Sequence, residues 1–240
     1  MGHRELLLAL ATGLTAISAL GGAWVGAGWL WDGANAAGFV AAVILIFLHI
    51  ETGAGRTKPL PHAPFHARLH TNIALLALAF VGIHAGVLLA DDVTTLEYWK
   101  VSAPPYMLAG IGALVLMSAI TGSAYARPRR RLFPTHLRFR RIHGVASLVL
   151  AALVTWHVVG SALYLDTGLK RTLGAAVLAA WPTWLVVRSA RRLHTSRRPT
   201  LEGTPRPVAE ATRETLRIGV AGLAFAIVFS AARNLPLLFQ

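Results

Sequence analysis

Two pairs of histidines with the same spacing are the residues of this 240-residue chain best suited to carry chemistry. His84 follows His70 by fourteen positions, and His157 follows His143 by the same interval. Fourteen residues come to within about 40° of a whole number of helical turns, so each pair shares one helix face, with its members roughly 21 Å apart along the axis. Two such helices side by side would offer facing imidazoles at two levels. This arrangement predicts axial ligation of two b-type haems, one near each side of a membrane.

Hydrogen bonding between helices and zinc binding are the competing roles for these four histidines. A single histidine in a membrane helix is well explained by an interhelical hydrogen bond. Four in matched register favour ligation, because ionisable groups at membrane depth are costly and usually functional. One tetrahedral zinc ion is disfavoured, because the two levels lie too far apart.

Two further histidines leave alternatives open. His66 lies one turn before His70 on roughly the same face, and is the alternative inner ligand. His49 and Glu51 could form a proton or quinone site near a helix end, or simply lie at the membrane interface.

The composition indicates a polytopic membrane protein. The chain is 55% hydrophobic and its mean hydropathy is +0.57. Long apolar runs predict an all-α transmembrane bundle of six helices plus a seventh C-terminal helix. The predicted spans are 6–30, 36–50, 69–90, 104–126, 142–165, 172–188 and 216–233. Short loops leave no room for a separate soluble domain between them.

The net charge of +13 is distributed as a topology signal rather than as a nucleic-acid-binding surface. Lysines and arginines cluster in three segments, 56–68, 127–141 and 188–213. The loops between them are acidic or nearly neutral, with Asp32 in one and Asp91, Asp92 and Glu97 in another. By the positive-inside rule the N-terminus is cytoplasmic and the C-terminus is outside. We expect an integral protein of a bacterial inner membrane, in contact with anionic lipid.

Three arginines, Arg138, Arg140 and Arg141, lie just before His143. They could pair with the propionates of an inner haem, or serve only topology and lipid contact.

Glycines also stand close to the proposed ligands. Gly82 and Gly86 flank His84, Gly144 follows His143, and Gly160 lies one turn after His157. Small residues beside a ligand would let a macrocycle approach the helix, although membrane helices are rich in glycine for packing reasons too.

The missing residue types exclude several cofactors. Without cysteine, the chain cannot hold an iron–sulfur cluster, attach haem covalently or form disulfides. Without a Gly-x-Gly-x-x-Gly turn, a dinucleotide site in this chain is not expected.

The segment 108–163 resembles the ferric reductase-like transmembrane domain that is shared with the NADPH oxidases. The resemblance rests on Ile-Thr-Gly-Ser at 120–123, the basic turn 127–132, and Arg-Phe-Arg-Arg-Ile-His-Gly at 138–144 entering the helix of His157. The segment 65–89 matches the other ligand helix of that family. The resemblance implies two stacked b haems and electron flow from the cytoplasmic side outward. It also implies that His70 and His143 hold the inner haem, and His84 and His157 the outer haem.

The predicted domains follow from this resemblance: a dihaem domain over 1–193, a basic cytoplasmic linker over 194–215, and an additional helix over 216–240. Larger members of the family carry a C-terminal flavin and NAD(P)H domain, which has no counterpart here. We therefore expect a separate electron donor: a flavoprotein, an iron–sulfur subunit or a membrane quinol.

The expected function is a dihaem b-type cytochrome subunit, the electron-transfer component of an oxidoreductase. The alternatives are a stand-alone transmembrane reductase of ferric iron or oxygen, a quinol-linked cytochrome b, and a haem-free scaffold.

Overall fold

The computed structural model describes residues 28–54, 63–125, 131–165, 167–176 and 207–234, together with residues 129 and 183. Five long helices occur there: α1 Trp29–Ala54, α2 Ala63–Asp91, α3 Pro105–Ser123, α4 His136–Ser161 and α5 Val208–Asn234. All five are long and apolar enough to cross a membrane, and the described residues include no strand. The predicted all-helical membrane architecture is confirmed at this level. The first predicted span and most of the sixth lie outside the described residues, so the count of six plus one remains a prediction, as do the domain boundaries.

The described helices form two units. In the first unit, α1, α2 and α5 each pack against the other two. In the second unit, α3 packs against α4, and a short 3₁₀ helix, Val93–Trp99, packs against α3. His70 and His84 lie in the first unit, and His143 and His157 lie in the second.

In the first unit, a small residue on α5 allows this helix to pack closely against α1 and α2. A Cβ atom added at Gly222 of α5 would lie 2.7 Å from Val40 of α1 and 2.9 Å from Phe80 of α2. Phe39 and Phe229 meet edge to face across α1 and α5, with ring centroids 6.3 Å apart. Close backbone approach is the usual way in which membrane helices gain packing energy, because lipid offers no hydrophobic driving force between them.

A buried polar cluster joins the start of α1 to the end of α5. The Asp32 carboxylate is fully buried, lies 3.5 Å from Nε of Arg233, and accepts a hydrogen bond from Nδ2 of Asn234 at 2.9 Å. The hydroxyl of Ser230 donates to the backbone oxygen of Trp29 at 2.7 Å. These contacts place the start of α1 beside the end of α5, so the two helices run antiparallel, as the predicted alternation of spans requires.

The start of α1 corrects the sequence prediction, which placed Asp32 in a loop and began the second span at residue 36. Asp32 instead lies in the first turn of a helix that begins at Trp29. Two effects make this position favourable: an acidic side chain suits the positive end of the helix dipole, and Arg233 and Asn234 compensate its burial.

Three other helices also begin earlier than predicted. α2 starts at Ala63 rather than at residue 69. The side chain of Thr135 accepts a hydrogen bond from the backbone N–H of Arg138 at 3.2 Å and caps α4, which therefore starts at His136 rather than near residue 142. Arg138, Arg140 and Arg141 thus lie on the first two turns of α4 and not in the preceding loop. α5 begins at Val208, so residues 208–215 of the predicted linker are helical.

Candidate functional site

His84 lies on α2 with its ring against the backbone of α1. Its Nδ1 atom is 2.9 Å from the carbonyl oxygen of Ala34. Because a carbonyl oxygen can only accept, Nδ1 carries the proton and donates it, which assigns the ring's lone pair to Nε2. One turn along α1, a Cβ atom at Gly38 would lie 3.0 Å from the same Nδ1. The missing side chain at Gly38 therefore lets the imidazole reach the α1 backbone.

His157 has the same setting in the second unit. Its Nδ1 atom is 3.0 Å from the carbonyl oxygen of Tyr106 on α3, which again assigns the lone pair to Nε2. A Cβ atom at Gly110, one turn after Tyr106, would lie 2.6 Å from Nδ1 and 2.8 Å from Cε1 of His157. No real Cβ atom sits at such distances, so the ring occupies space that only a glycine can leave.

His70 and His143 lie on the same two helices as His84 and His157, one on each. His70 and His143 are both half-buried, and each helix runs without interruption to its second histidine. Each pair therefore lies on one continuous helix, as predicted, with roughly 21 Å of helix between its two members. The ring of His143 lies 5.2 Å from that of Phe139, centroid to centroid.

His66 and His49 have local contacts. His66 meets the ring of Phe65 edge to face at 5.2 Å. Nδ1 of His49 lies 2.7 Å from the carbonyl oxygen of Leu45, one turn earlier in its own helix. The side chain of Glu51, the expected partner of His49, lies outside the described residues.

The three arginines before His143 are exposed, but they point in different directions. At 100° per residue, Arg140 lies about 60° from His143 around α4, whereas Arg138 and Arg141 lie about 140° and 160° away. Of the three, Arg140 is the one placed for a group held by His143. Arg138 and Arg141 are placed for lipid headgroups or solvent.

The glycines singled out in the sequence differ in their surroundings. A Cβ atom at Gly82, Gly86 or Gly144 would meet nothing within 4 Å, whereas one at Gly160 would lie 2.5 Å from Cβ of Tyr106. Gly160 therefore brings α3 close to α4 beside the carbonyl that holds His157.

The residues that sequence reasoning missed are Gly38 and Gly110, together with the carbonyls of Ala34 and Tyr106. They lie on neighbouring helices, about 50 residues from the histidines they serve. The available signal was the Ala-Gly step that both helices carry, at 37–38 and at 109–110.

Comparisons of this chain with protein-family models, with curated proteins and with solved structures find no match. The resemblance to the ferric reductase-like domain therefore rests on the sequence motifs alone.

Proposed function

We propose that the protein is a dihaem b-type cytochrome subunit that carries single electrons across the membrane, from a cytoplasmic-side donor to an outer-side acceptor. The observation that carries this proposal is the matched setting of His84 and His157, each with its Nδ1–H held by a backbone carbonyl. A histidine that ligates a metal through one ring nitrogen commonly donates its other N–H to such a group. The hydrogen bond fixes the ring and makes the ligating nitrogen more basic.

The residues present fit a bis-histidine haem. Each unit supplies one helix that carries two imidazoles fourteen residues apart. The second imidazole of each helix, His84 or His157, has its lone pair on Nε2, the nitrogen through which haem histidines bind. In this proposal His70 and His143 hold the inner haem, and His84 and His157 hold the outer haem.

A bound haem b supplies a one-electron Fe(III)/Fe(II) couple. The chain itself would contribute the ligands and, through the Nδ1–H bonds of His84 and His157, the orientation of the outer pair. Arg140 contributes a cation at the inner level that suits a propionate. The two levels, roughly 21 Å apart along a helix, divide the crossing of the hydrocarbon core into shorter steps.

The donor and the acceptor belong to other molecules in this proposal. The exposed arginines of α4 would lie on the cytoplasmic side in the predicted topology, where they suit an acidic flavoprotein or iron–sulfur subunit. A membrane quinol is the alternative donor. The acceptor would be met at the outer haem.

Electron transfer across sealed proteoliposomes tests this function. Ferricyanide is trapped inside, an impermeant reductant is added outside, and loss of the ferricyanide absorbance is followed. We expect one ferricyanide to be reduced for each electron that crosses in wild-type vesicles, and no reduction above empty vesicles with His70→Ala or His84→Ala.

His66→Ala is the matched control, since His66 lies on the same helix one turn before His70. It should retain wild-type transfer. Wild-type vesicles that contain haem but transfer no electrons would contradict the proposed function, and loss of transfer only in His66→Ala would reassign the inner ligand.

A further inference from the structure

We infer that the chain contains an internal repeat of one helical hairpin, and that Gly38 and Gly110 are its equivalent positioning residues, which seat the two histidines of the outer haem. The assignment to haem rests on the proposed function. The repeat rests on recurring residues and contacts, and the two close contacts rest on geometry alone.

The register of the polar contacts supports the repeat. His70 and His84 recur as His143 and His157, each 73 positions later. The two carbonyls that accept from the outer histidines, at residues 34 and 106, and the glycines one turn after them, at 38 and 110, recur 72 positions apart. In both hairpins a helix supplies a carbonyl and a glycine, and the next long helix supplies the histidines.

Packing residues repeat in the same register. Ala37 and Ala109 precede the two glycines, Ala41 and Ala113 follow three residues later, and all four alanines are buried. This small-residue face brings each first helix close to its partner. Identical residues also recur along the second helices at 68 and 141, 75 and 148, 79 and 152, and 81 and 154.

The repeat indicates which of His66 and His70 is the inner ligand. His70 corresponds to His143, whereas His66 corresponds to Phe139, which carries no ligating atom and lies against the ring of His143. The inner ligand of α2 is therefore His70, and His66 holds the position of a neighbouring aromatic ring.

Gly38 and Gly110 should differ in how well they tolerate replacement by alanine. A Cβ atom at Gly110 would lie 2.6 Å from Nδ1 of His157, which forces the ring to move, whereas one at Gly38 would lie 3.0 Å from Nδ1 of His84 and requires a smaller shift. Movement of either ring weakens its N–H···O bond and lowers the basicity of the imidazole. A less basic ligand stabilises ferric iron less, so the outer potential should rise.

The experiment compares Gly110→Ala and Gly38→Ala with Gly112→Ala as a control on α3. A Cβ atom at Gly112 meets only Leu153, at an ordinary 3.7 Å. Haem per chain, the midpoint potential of each haem and the low-spin ferric EPR spectrum are measured, because the EPR signal reports the orientation of the imidazoles. We expect Gly38→Ala to keep both haems with a raised outer potential and an altered outer signal. Gly110→Ala should show a larger change or lose the outer haem, and Gly112→Ala should match wild type.

The possible failures are distinguishable. A wild-type protein without haem would overturn the proposed function itself. A wild-type protein with two haems, whose outer potential and EPR signal are unchanged in both Gly38→Ala and Gly110→Ala, would overturn the positioning role alone.

A second inference concerns the 3₁₀ helix Val93–Trp99, which we propose lies in the membrane interface with its apolar face in lipid. In a 3₁₀ helix, residues three apart share a face. Val93, Leu96 and Trp99 form such a face and are 68%, 53% and 50% exposed. Glu97 lies on another face and forms an ion pair with Lys100, which directly follows the helix.

Continuity of the chain identifies lipid as the occupant of this apolar face. The 3₁₀ helix joins the end of α2 to the start of α3, and both of these helices are apolar enough to span the membrane. The connection between two such helices begins and ends at the same membrane surface. Tryptophan beside charged residues is the composition that favours the boundary between headgroups and acyl chains.

Single-cysteine labelling tests this placement without background, because the chain has no cysteine. Nitroxide labels at Leu96→Cys and at Glu97→Cys are compared in phosphatidylcholine–phosphatidylglycerol liposomes for relaxation by oxygen and by a water-soluble nickel chelate. We expect the label at position 96 to respond to oxygen and to be shielded from nickel, and the label at position 97 to show the reverse. Equal nickel access at both positions, or a label at position 96 shielded from both reagents, would overturn the proposal in favour of a solvated loop or a protein contact.

Discussion

Removing the carboxylate of Asp32 should destabilise the first unit strongly. Asp32→Ala takes away the acceptor of the Asn234 hydrogen bond and leaves Arg233 beside an empty, buried position. Breaking a buried ion pair by removing one partner costs about 3–5 kcal/mol. The side chain of Arg233 is 20% exposed and can recover some solvation, so we expect the low end, about 3 kcal/mol, or roughly a hundredfold in the unfolding equilibrium.

The assay is unfolding in mixed micelles of increasing dodecyl sulfate content, followed by far-ultraviolet circular dichroism. Asp32→Asn should lose less stability than Asp32→Ala, because the amide oxygen of the new side chain can still accept the hydrogen bond from Asn234. Asp91→Ala, at the exposed end of α2, is the control and should unfold at the same dodecyl sulfate fraction as wild type. The double variant Asp32→Ala/Arg233→Ala should be more stable than the sum of the single effects predicts.

Two results would refute this reasoning. One is an Asp32→Ala protein that unfolds at the same dodecyl sulfate fraction as wild type. The other is strict additivity in the double variant, which would mean that Asp32 and Arg233 do not interact.

Three further predictions follow from the described contacts. Gly222→Leu should overpack α5 against Val40 and lower the free energy of unfolding by about 1–3 kcal/mol in the same assay. The control Gly122→Leu, whose Cβ atom meets nothing within 4 Å, should be near neutral. Similar losses of stability in both variants would contradict the packing argument. Thr135→Ala should cost about 1 kcal/mol and speed hydrogen exchange at the amide of Arg138, and unchanged exchange would rule out the cap. If an acidic protein is the donor, raising ionic strength should slow haem reduction in stopped-flow measurements, and a rate indifferent to salt would exclude docking through the exposed arginines of α4.

The features that the sequence predicted well are local and periodic. Apolar length identified helices α2, α3, α4 and α5 as spans, because a span must satisfy its own backbone hydrogen bonds. The fourteen-residue spacing placed His70 with His84 on one continuous helix, since helical periodicity depends only on separation along the chain.

The features that the sequence did not predict depend on partners far away in the chain. Asp32 suggested a loop because its compensating residues, Arg233 and Asn234, lie about 200 residues later. The glycines beside the ligands drew attention, but the ones that contact the imidazoles are Gly38 and Gly110 on neighbouring helices. No local pattern reveals which backbone carbonyl a ring will meet.

Haem quantitation by redox-difference spectroscopy on purified protein, with wild type beside His84→Ala and His143→Ala, tests the dihaem assignment itself. We predict about two b haems per wild-type chain and the loss of one in each variant, the outer haem in the first and the inner haem in the second. Variants that both retain two haems would contradict the ligand assignment. A wild-type protein that holds no haem despite an adequate supply during expression would contradict the dihaem cytochrome as a whole.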